Sequence, residues 1–257
     1  MFLRILLRIS SFLVNGIIVM ALVLSGGYGA YALWDNNQVL TRADAVRTEL
    51  LSLKPTGEST EQTPEVGASF SQLRQINPDV CGWITLDNTL IDFPVLRGET
   101  NLTYINTDVY GNFSLAGSIF LDSRNDPDFS QNYTLLYGHH MADSNMFGDL
   151  DRYKEEAFFR ENRTGRLILP DKTYELEIIT CMVTKASDAN IFDPESMQDA
   201  IPALLDHARE KGLYLREEAV TAAGSTGKVI ALTTCSTEFT DARTVVLAAM
   251  QPKSPGE

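Results

Sequence analysis

The chain has 257 residues, 44% hydrophobic and 21% charged, which is enough for one sizeable core beside an anchor and a linker. Its formal net charge of -13 at pH 7 excludes a sequence-independent grip on nucleic-acid phosphates, which needs clustered lysine and arginine. Three cysteines are too few for a disulfide framework, and their odd number leaves at least one thiol free unless chains pair.

The N-terminal region predicts the compartment. Residues 9–33 form an uncharged, mainly apolar run, long enough to cross a bilayer core of roughly 30 Å as a helix. Arg4 and Arg8 precede this run and Asp35 follows it, so the positive-inside rule keeps residues 1–8 in the cytoplasm. The sequence therefore predicts a single-pass protein of the cell membrane whose remaining residues are extracellular.

A cleaved signal peptide is the alternative interpretation of the same run. Ala30, Tyr31 and Ala32 resemble a small-residue cleavage site. The apolar run is longer than the roughly 7 to 15 residues of a signal-peptide core, and this favours an uncleaved anchor.

A stalk and a flexible linker are predicted over residues 34–67. Apolar residues recur at helical spacing over 36–53, whereas 54–67 are rich in Pro, Gly, Thr and Glu. Such a composition buries too little apolar surface to offset the entropy of ordering. We therefore expect the folded domain to occupy residues 68–257.

The pattern within this domain indicates a mainly β fold with helices. A short helix over 69–76 ends before Pro78. A longer helix is predicted from Asp193 to Lys211, with Pro194 at its first position. Eight short segments have strand character, which suggests a barrel or a sandwich. They are residues 81–86, 90–95, 118–121, 133–137, 165–169, 174–184, 228–234 and 242–249.

The first candidate for chemistry is Cys235, which ends the apolar strand over 228–234. A thiol at a strand end is accessible to substrate, and a neighbouring cation lowers the pKa of such a thiol from about 8.5. Cys81 and Cys181 lie inside apolar strands, where cysteine is typically a small buried hydrophobe. Cys235 is therefore the candidate nucleophile.

Two adjacent histidines, His139 and His140, follow the strand over 133–137. On an extended chain they point to opposite faces, so one can face a site while the other faces solvent. They cannot chelate a metal as an i, i+4 helical pair does. The third histidine, His207, lies on the polar side of the predicted helix and is expected to be a solvated surface residue. No metal site is predicted.

Arg243 is the third candidate, eight residues after Cys235 at the start of the next strand. If the two strands pair as a hairpin, its guanidinium lies near the thiol and can stabilise a thiolate or an oxyanion. An arginine paired with Asp241 or Glu238 at a sheet edge is an equally good interpretation of this position.

Taken together, these residues resemble the sortase family. Leu232-Thr233-Thr234-Cys235 is similar to the TLxTC strand of sortases, His139 lies in a Tyr-Gly-His motif, and Arg243 follows the cysteine. The resemblance covers residues 70–250 and is to class B in particular. The class B segments appear in the family's order as NPDVCGWITL, TLIDFPVL, YGN, AGSIFLDSRN and YGHHMADSNMFGDL.

The resemblance implies a fold and an activity. The fold is an α+β, eight-stranded sortase-type barrel with N-terminal helices and an extra helix between strands 6 and 7. The activity is transpeptidation, in which Cys235 attacks a C-terminal sorting motif of a secreted protein and forms a thioacyl enzyme. His139 protonates the leaving amine, and Arg243 stabilises the oxyanion. No cofactor or metal is required.

The resemblance also implies partners and further site residues. An amine of a peptidoglycan precursor resolves the thioester, and Tyr137, Thr233 and Thr234, beside the catalytic strand ends, are predicted to contact the substrate peptide. One alternative is a sortase that polymerises pilin subunits. A papain-type cysteine hydrolase is another alternative, but in that class the catalytic Cys precedes the His in the sequence, whereas here His139 precedes Cys235. A non-catalytic, membrane-tethered binding module would instead keep Cys235 buried and unreactive.

Overall fold

The computed structural model describes residues 2–55, 65–141, 144–235 and 240–253. Contacts between Cα atoms divide the chain into two compact units, Met1–Arg42 and Ala43–Glu257. Most of the linker predicted over 54–67 lies outside the described residues, because these omit 56–64.

The N-terminal helix α1 is continuous from Phe2 to Leu51, although the sequence pattern separates an apolar run from a second helix over 36–53. No proline or glycine occurs over residues 35–51, so nothing in the covalent chain interrupts the helix there. Within the described residues, Ser10–Leu51 is long and apolar enough to cross a membrane. A signal sequence near an N-terminus can have the same length and apolar composition.

The last turns of α1 belong to the second unit. Leu50 is 3% exposed and packs in one apolar cluster with Trp83 and with Phe70 of helix α2, Glu65–Ile76. Lys54 Nζ lies 2.7 Å from a carboxylate oxygen of Asp92. Part of the segment predicted as stalk and linker, residues 43–55, therefore contributes to the packing of the folded unit.

Nine strands form one sheet that closes into an eight-stranded barrel. The strands are β1 Val80–Leu86, β2 Asp92–Leu96, β3 Ile119–Leu121, β4 Tyr133–Tyr137, β5 Thr164–Ile168, β6 Thr173–Lys185, β7 Tyr214–Leu215, β8 Val229–Cys235 and β9 Ala242–Pro252. Neighbours around the barrel run β5-β1-β2-β3-β4-β8-β9-β6, and β5 pairs again with β6. The predicted barrel is confirmed, and the additional strand β7 has only two residues, too few for a periodic signal in the sequence.

Four helices occupy the insertion, residues 186–227, which joins the sixth and seventh barrel strands, β6 and β8. They are α4 Ala189–Phe192, α5 Pro194–Met197, α6 Ile201–Lys211 and α7 Glu217–Thr226. Asp193 and Pro194 begin a helix, as the sequence predicts. The prediction that this helix is continuous to Lys211 is wrong, because α5 ends at Met197 and Ala200, with a non-helical φ of -119°, precedes α6. Pro202 near the start of α6 lacks the amide hydrogen needed to continue a preceding helix. Two further helices precede β5, the 3-10 helix Gly148–Lys154 and α3 Glu156–Glu161.

Strands β8 and β9 are buried on both faces. Residues of one parity, such as Leu232 and Val246, face the barrel interior, and the other parity packs under the insertion. This explains why their sequences are continuously apolar. On the second face, Ala231, Val245 and Leu247 belong to one apolar cluster with residues of the helices. The helix residues include Leu204, Leu205 and Ala208 of α6 and Val220 of α7.

His207 is not the solvated surface residue that the sequence suggests. Its side chain is 12% exposed, and its Nε2 atom lies 2.9 Å from Oδ2 of Asp188. The hydroxyl of Thr184 donates to the same oxygen at 2.6 Å, and the other oxygen of Asp188 caps α4. The carboxylate therefore joins β6, α4 and α6 at one point.

The Asp188 contacts predict a pH-dependent stability. Burial opposes ionisation, but the hydrogen bond from Thr184 and the facing His207 prevail and lower the pKa of the Asp188 carboxyl. A carboxyl group whose pKa is lower in the folded state stabilises the fold at pH values above its unfolded-state pKa of about 4. This stabilisation is lost as the pH falls through the folded-state pKa. The melting-temperature difference between wild type and Asp188→Asn should be largest near neutral pH and shrink below about pH 4. A difference that stays constant down to the acid limit would contradict this account.

Candidate active site

Three strand ends meet at one mouth of the barrel. Strands β4 and β8 are parallel and pair Tyr137 with Thr233, and the amide of Gly138 donates to the Thr233 carbonyl at 3.1 Å. His139 and Cys235 each lie two residues beyond this pair. In the antiparallel pair β8–β9, Cys235 is directly opposite Arg243. The backbone positions of the three predicted catalytic residues therefore lie on adjacent chain segments.

Arg243 is partly buried, and its Nη1 atom donates to the carbonyl of Ala242 at 2.9 Å. In the part of the chain that the structure describes, no carboxylate forms an ion pair with this guanidinium. The alternative partner Asp241 is therefore not engaged, and Glu238 lies outside the described residues, as does the side chain of Cys235. Among the described residues the remaining donors of Arg243 have no partner, and a guanidinium in this state can donate to a developing negative charge.

The imidazole of His139 is held by a backbone carbonyl. Its Nε2 atom lies 2.7 Å from the oxygen of Ile105. A carbonyl oxygen only accepts hydrogen bonds, so the short contact requires a hydrogen on Nε2. Nδ1 makes no hydrogen bond within the described ranges and is the nitrogen open to exchange a proton.

The loop that carries Ile105 approaches another chain segment closely at Gly117. Gly117 has a φ of +59°, and a Cβ atom there would overlap the carbonyls of Ile105 and Tyr104. The next residue, Ser118, donates its amide hydrogen to the Tyr104 carbonyl at 3.1 Å. Glycine is needed here both for the left-handed backbone and for the space beside the carbonyl that orients His139.

His140 has a different environment from His139. Its side chain is 36% exposed, and its Nε2 atom lies 3.0 Å from Oδ2 of Asp151. The two adjacent imidazoles thus have separate partners, consistent with the opposite faces expected of neighbouring residues on an extended chain.

The predicted burial of the other two cysteines is confirmed. Cys81 is 3% exposed and Cys181 is fully buried. Burial raises the pKa of the Cys81 thiol to about 12, in spite of the opposing charge of Arg74. At neutral pH this thiol is protonated and inaccessible, so it is a structural residue.

The three predicted substrate-contacting residues differ in exposure. Tyr137 is half-buried, with its ring stacked on Phe120 at 5.3 Å and on Phe192 of the insertion at 6.4 Å. Thr233 is 1% exposed and donates its hydroxyl to the Leu136 carbonyl at 3.0 Å. Thr234 is 2% exposed, and its hydroxyl has no partner among the described residues. Substrate contact stays a prediction for all three, and Thr233 also has a role within the sheet.

A buried carboxylate supports Tyr137 and was not singled out from the sequence. Asp122 is fully buried and accepts hydrogen bonds from Arg124, Asn101 and the Tyr137 hydroxyl at 2.9 to 3.0 Å. Burial opposes ionisation, but the Arg124 hydrogen bonds dominate and lower the pKa of this carboxyl. An aspartate directly after an apolar strand, with an arginine two positions later, was the available signal.

The described residues contain no group of three or more His, Cys, Asp or Glu side chains placed to hold a metal ion.

A barrel of this topology, with its insertion between β6 and β8, also occurs in known proteins. The family model described as Sortase domain matches residues 84–251, which is more than half of the chain. The chain therefore belongs to the sortase family.

The relatives narrow the class. Sortase B of Staphylococcus aureus is 32% identical over 186 residues, covering 71% of this chain and 75% of that protein. A Streptococcus pyogenes class B sortase involved in pilus biogenesis is 35% identical with a TM-score of 0.65, covering 72% of this chain and 99% of that chain. A Staphylococcus aureus sortase B–substrate complex is 26% identical with a TM-score of 0.69, covering 85% of this chain and 98% of that chain. The protein is thus a class B sortase, and its enzymatic class is transpeptidase.

Proposed function

We propose that the protein cleaves a C-terminal sorting motif of secreted proteins and transfers the product to an amine, with the peptidoglycan precursor as acceptor. Cys235 acts as nucleophile, His139 as acid and base, and Arg243 as the cation that stabilises the transition state. The observation that carries this assignment is the register of the strands. It sets Cys235 opposite Arg243 and level with His139 beyond the β4–β8 pairing.

The first half of the proposed reaction forms a thioester. The thiolate of Cys235 attacks the carbonyl carbon of the scissile bond, and the carbonyl electrons move to the oxygen, where Arg243 donates hydrogen bonds. The protonated imidazole of His139 gives its Nδ1 proton to the leaving amine nitrogen as the carbon–nitrogen bond breaks. Nε2 keeps its hydrogen on the Ile105 carbonyl, so the ring does not turn during the transfer.

The second half reverses these roles. The acceptor amine attacks the thioester carbonyl, His139 Nδ1 takes a proton from the amine, and the carbon–sulfur bond breaks to release the Cys235 thiolate. A new amide bond joins the secreted protein to the acceptor. The insertion packs over the outer face of β8 and β9, and we propose that it forms the wall that excludes water.

Polymerisation of pilin subunits is the second candidate function. It is favoured by the similarity to the Streptococcus pyogenes class B sortase, which is involved in pilus biogenesis. In that case the acceptor amine belongs to a lysine side chain of another protein, and the chemistry at Cys235 is unchanged.

The proposed location is the cell membrane. The apolar stretch within α1, with Arg4 and Arg8 before it, supports an anchor over 9–33 with residues 1–8 cytoplasmic. The catalytic domain, residues 68–257, is then extracellular. If the intact mass of the mature protein corresponds to a chain that begins at residue 33, the apolar segment is instead a cleaved signal peptide.

The decisive experiment traps the intermediate. Full-length protein in detergent micelles is mixed with LPxTG-type and NPxTN-type peptides, and intact-mass spectrometry followed by peptide mapping locates any acyl adduct. We expect an adduct on Cys235 that is consumed when an amine is added. A peptidoglycan-type amine and a lysine-containing pilin peptide, supplied in separate reactions, distinguish the two functions. Cleavage without an adduct on Cys235 would contradict the mechanism.

A further inference from the structure

The carboxylate of Asp151 lies at the mouth of the barrel that carries the proposed catalytic residues. It belongs to the 3-10 helix Gly148–Lys154, whose Leu150 and Tyr153 are packed in the barrel core. Both carboxylate oxygens are engaged by side chains from different segments. Oδ1 accepts the hydroxyl of Thr244 at 2.7 Å and Lys154 Nζ at 2.8 Å, and Oδ2 accepts His140 Nε2 at 3.0 Å.

Two of these donors are the direct neighbours of proposed catalytic residues. Thr244 follows Arg243 in β9, and His140 follows His139 at the end of β4. We propose that Asp151 is a positioning residue, which bridges these two segments and sets the distance between the His139 imidazole and the Arg243 guanidinium. The inference rests on the proposed function of those two residues.

The backbone does not supply this connection by itself. Strand β8 lies between β4 and β9 in the barrel, so β4 and β9 do not pair with each other. The last β4–β8 contact is the hydrogen bond from Gly138 to Thr233, and the carbonyl of His139 instead accepts the amide of Phe147 at 3.0 Å. In the described part of the chain, no backbone hydrogen bond joins His139 or His140 to β9. The Asp151 side chain is therefore a direct link between them.

The charge of Asp151 strengthens the link. Burial opposes its ionisation, but hydrogen bonds from Lys154 and Thr244 and the charge of His140 lower the pKa of the carboxyl. It is ionised at neutral pH, and hydrogen bonds to an ionised acceptor are shorter and stronger than neutral ones. Thr244 is fully buried, so its orientation is also constrained by packing.

The test compares variants that remove the bridge with variants that keep it. Asp151→Asn removes the charge, Thr244→Val removes a hydroxyl at nearly constant shape, and Thr244→Ser retains that hydroxyl. Asp92→Asn is the matched control. Asp92 also binds a lysine, Lys54 at 2.7 Å, and a neutral donor, Trp83 Nε1 at 2.6 Å, but it lies in β2, which pairs with neither β4, β8 nor β9.

Each full-length variant is assayed in detergent micelles for kcat and KM of peptide cleavage, for thermal unfolding, and for alkylation of Cys235 at pH 7. We expect Asp151→Asn and Thr244→Val to lower kcat by about tenfold or more, because small misplacements of catalytic groups are costly, and to change KM less than about threefold. Alkylation of Cys235 should slow in parallel. Thr244→Ser should keep kcat within about threefold of the wild-type value. Asp92→Asn should lower the melting temperature and leave kcat unchanged.

The inference is overturned if Asp151→Asn keeps the wild-type kcat, or if Asp92→Asn lowers kcat as much at equal loss of stability. Cys235→Ala, run in the same assay, separates these outcomes from failure of the proposed function. If Cys235→Ala remains active, the proposed function is wrong. If it is inactive while Asp151→Asn is normal, only the positioning role is wrong.

Discussion

Replacing Cys235 with alanine is expected to lower the rates of peptide cleavage and transfer by about 10⁴-fold or more. Without the thiol no thioester forms, and removal of an enzyme's nucleophile commonly costs this much or more in kcat. Steady-state cleavage and intact-mass detection of the acyl enzyme both measure the effect. Residual binding of the peptide is expected to remain, because the substitution removes only one small side chain.

The chain offers its own controls for this substitution. Cys81 is buried, and its Sγ contacts the Val95 carbonyl at 3.4 Å, far from the β8–β9 hairpin in the strand order. Cys81→Ala should therefore lower stability slightly and leave turnover unchanged. In the folded wild type, a methanethiosulfonate reagent should modify Cys235 and neither Cys81 nor Cys181. Turnover that survives Cys235→Ala would reject the assignment, and it would leave the family membership intact.

Replacing His139 with alanine is expected to lower kcat by about 10³-fold, within the range that general acid–base catalysis contributes. The leaving amine then lacks a proton donor, and the thiol lacks its base. His140→Ala is the matched variant, with the same change one residue later. It should cost about tenfold or less, because His140 acts only through its contact with Asp151.

The pair of histidine variants identifies the base directly. A larger loss at His140 than at His139 would reassign the acid–base role to His140. Equal losses would indicate that both substitutions disturb the same backbone segment, and the melting temperatures of the two variants would then show a common loss of stability.

Much of the barrel was predictable from the sequence because several of its strands, including β4, β8 and β9, are apolar and buried on both faces. Tyr133–Tyr137 and Ala242–Pro252 appear as short apolar runs whose ends carry polar residues, and the observed strands begin within two residues of the predicted starts. The insertion was predicted less well. The break between Met197 and Ile201 interrupts an apolar stripe that continues across it, because packing on the sheet selects the same face of each short helix.

Sequence by itself determined which residues are candidates: the thiol at a strand end, the histidine after a Tyr-Gly pair and the arginine of the next strand. These depend on local pattern and on the motif. Only the tertiary structure decided what holds them. The Ile105 carbonyl at His139, the Asp151 bridge and the partly buried pair of His207 with Asp188 join residues 11 to 93 positions apart. Such contacts leave no local periodicity in the sequence, because they form only when the closed barrel brings distant segments together.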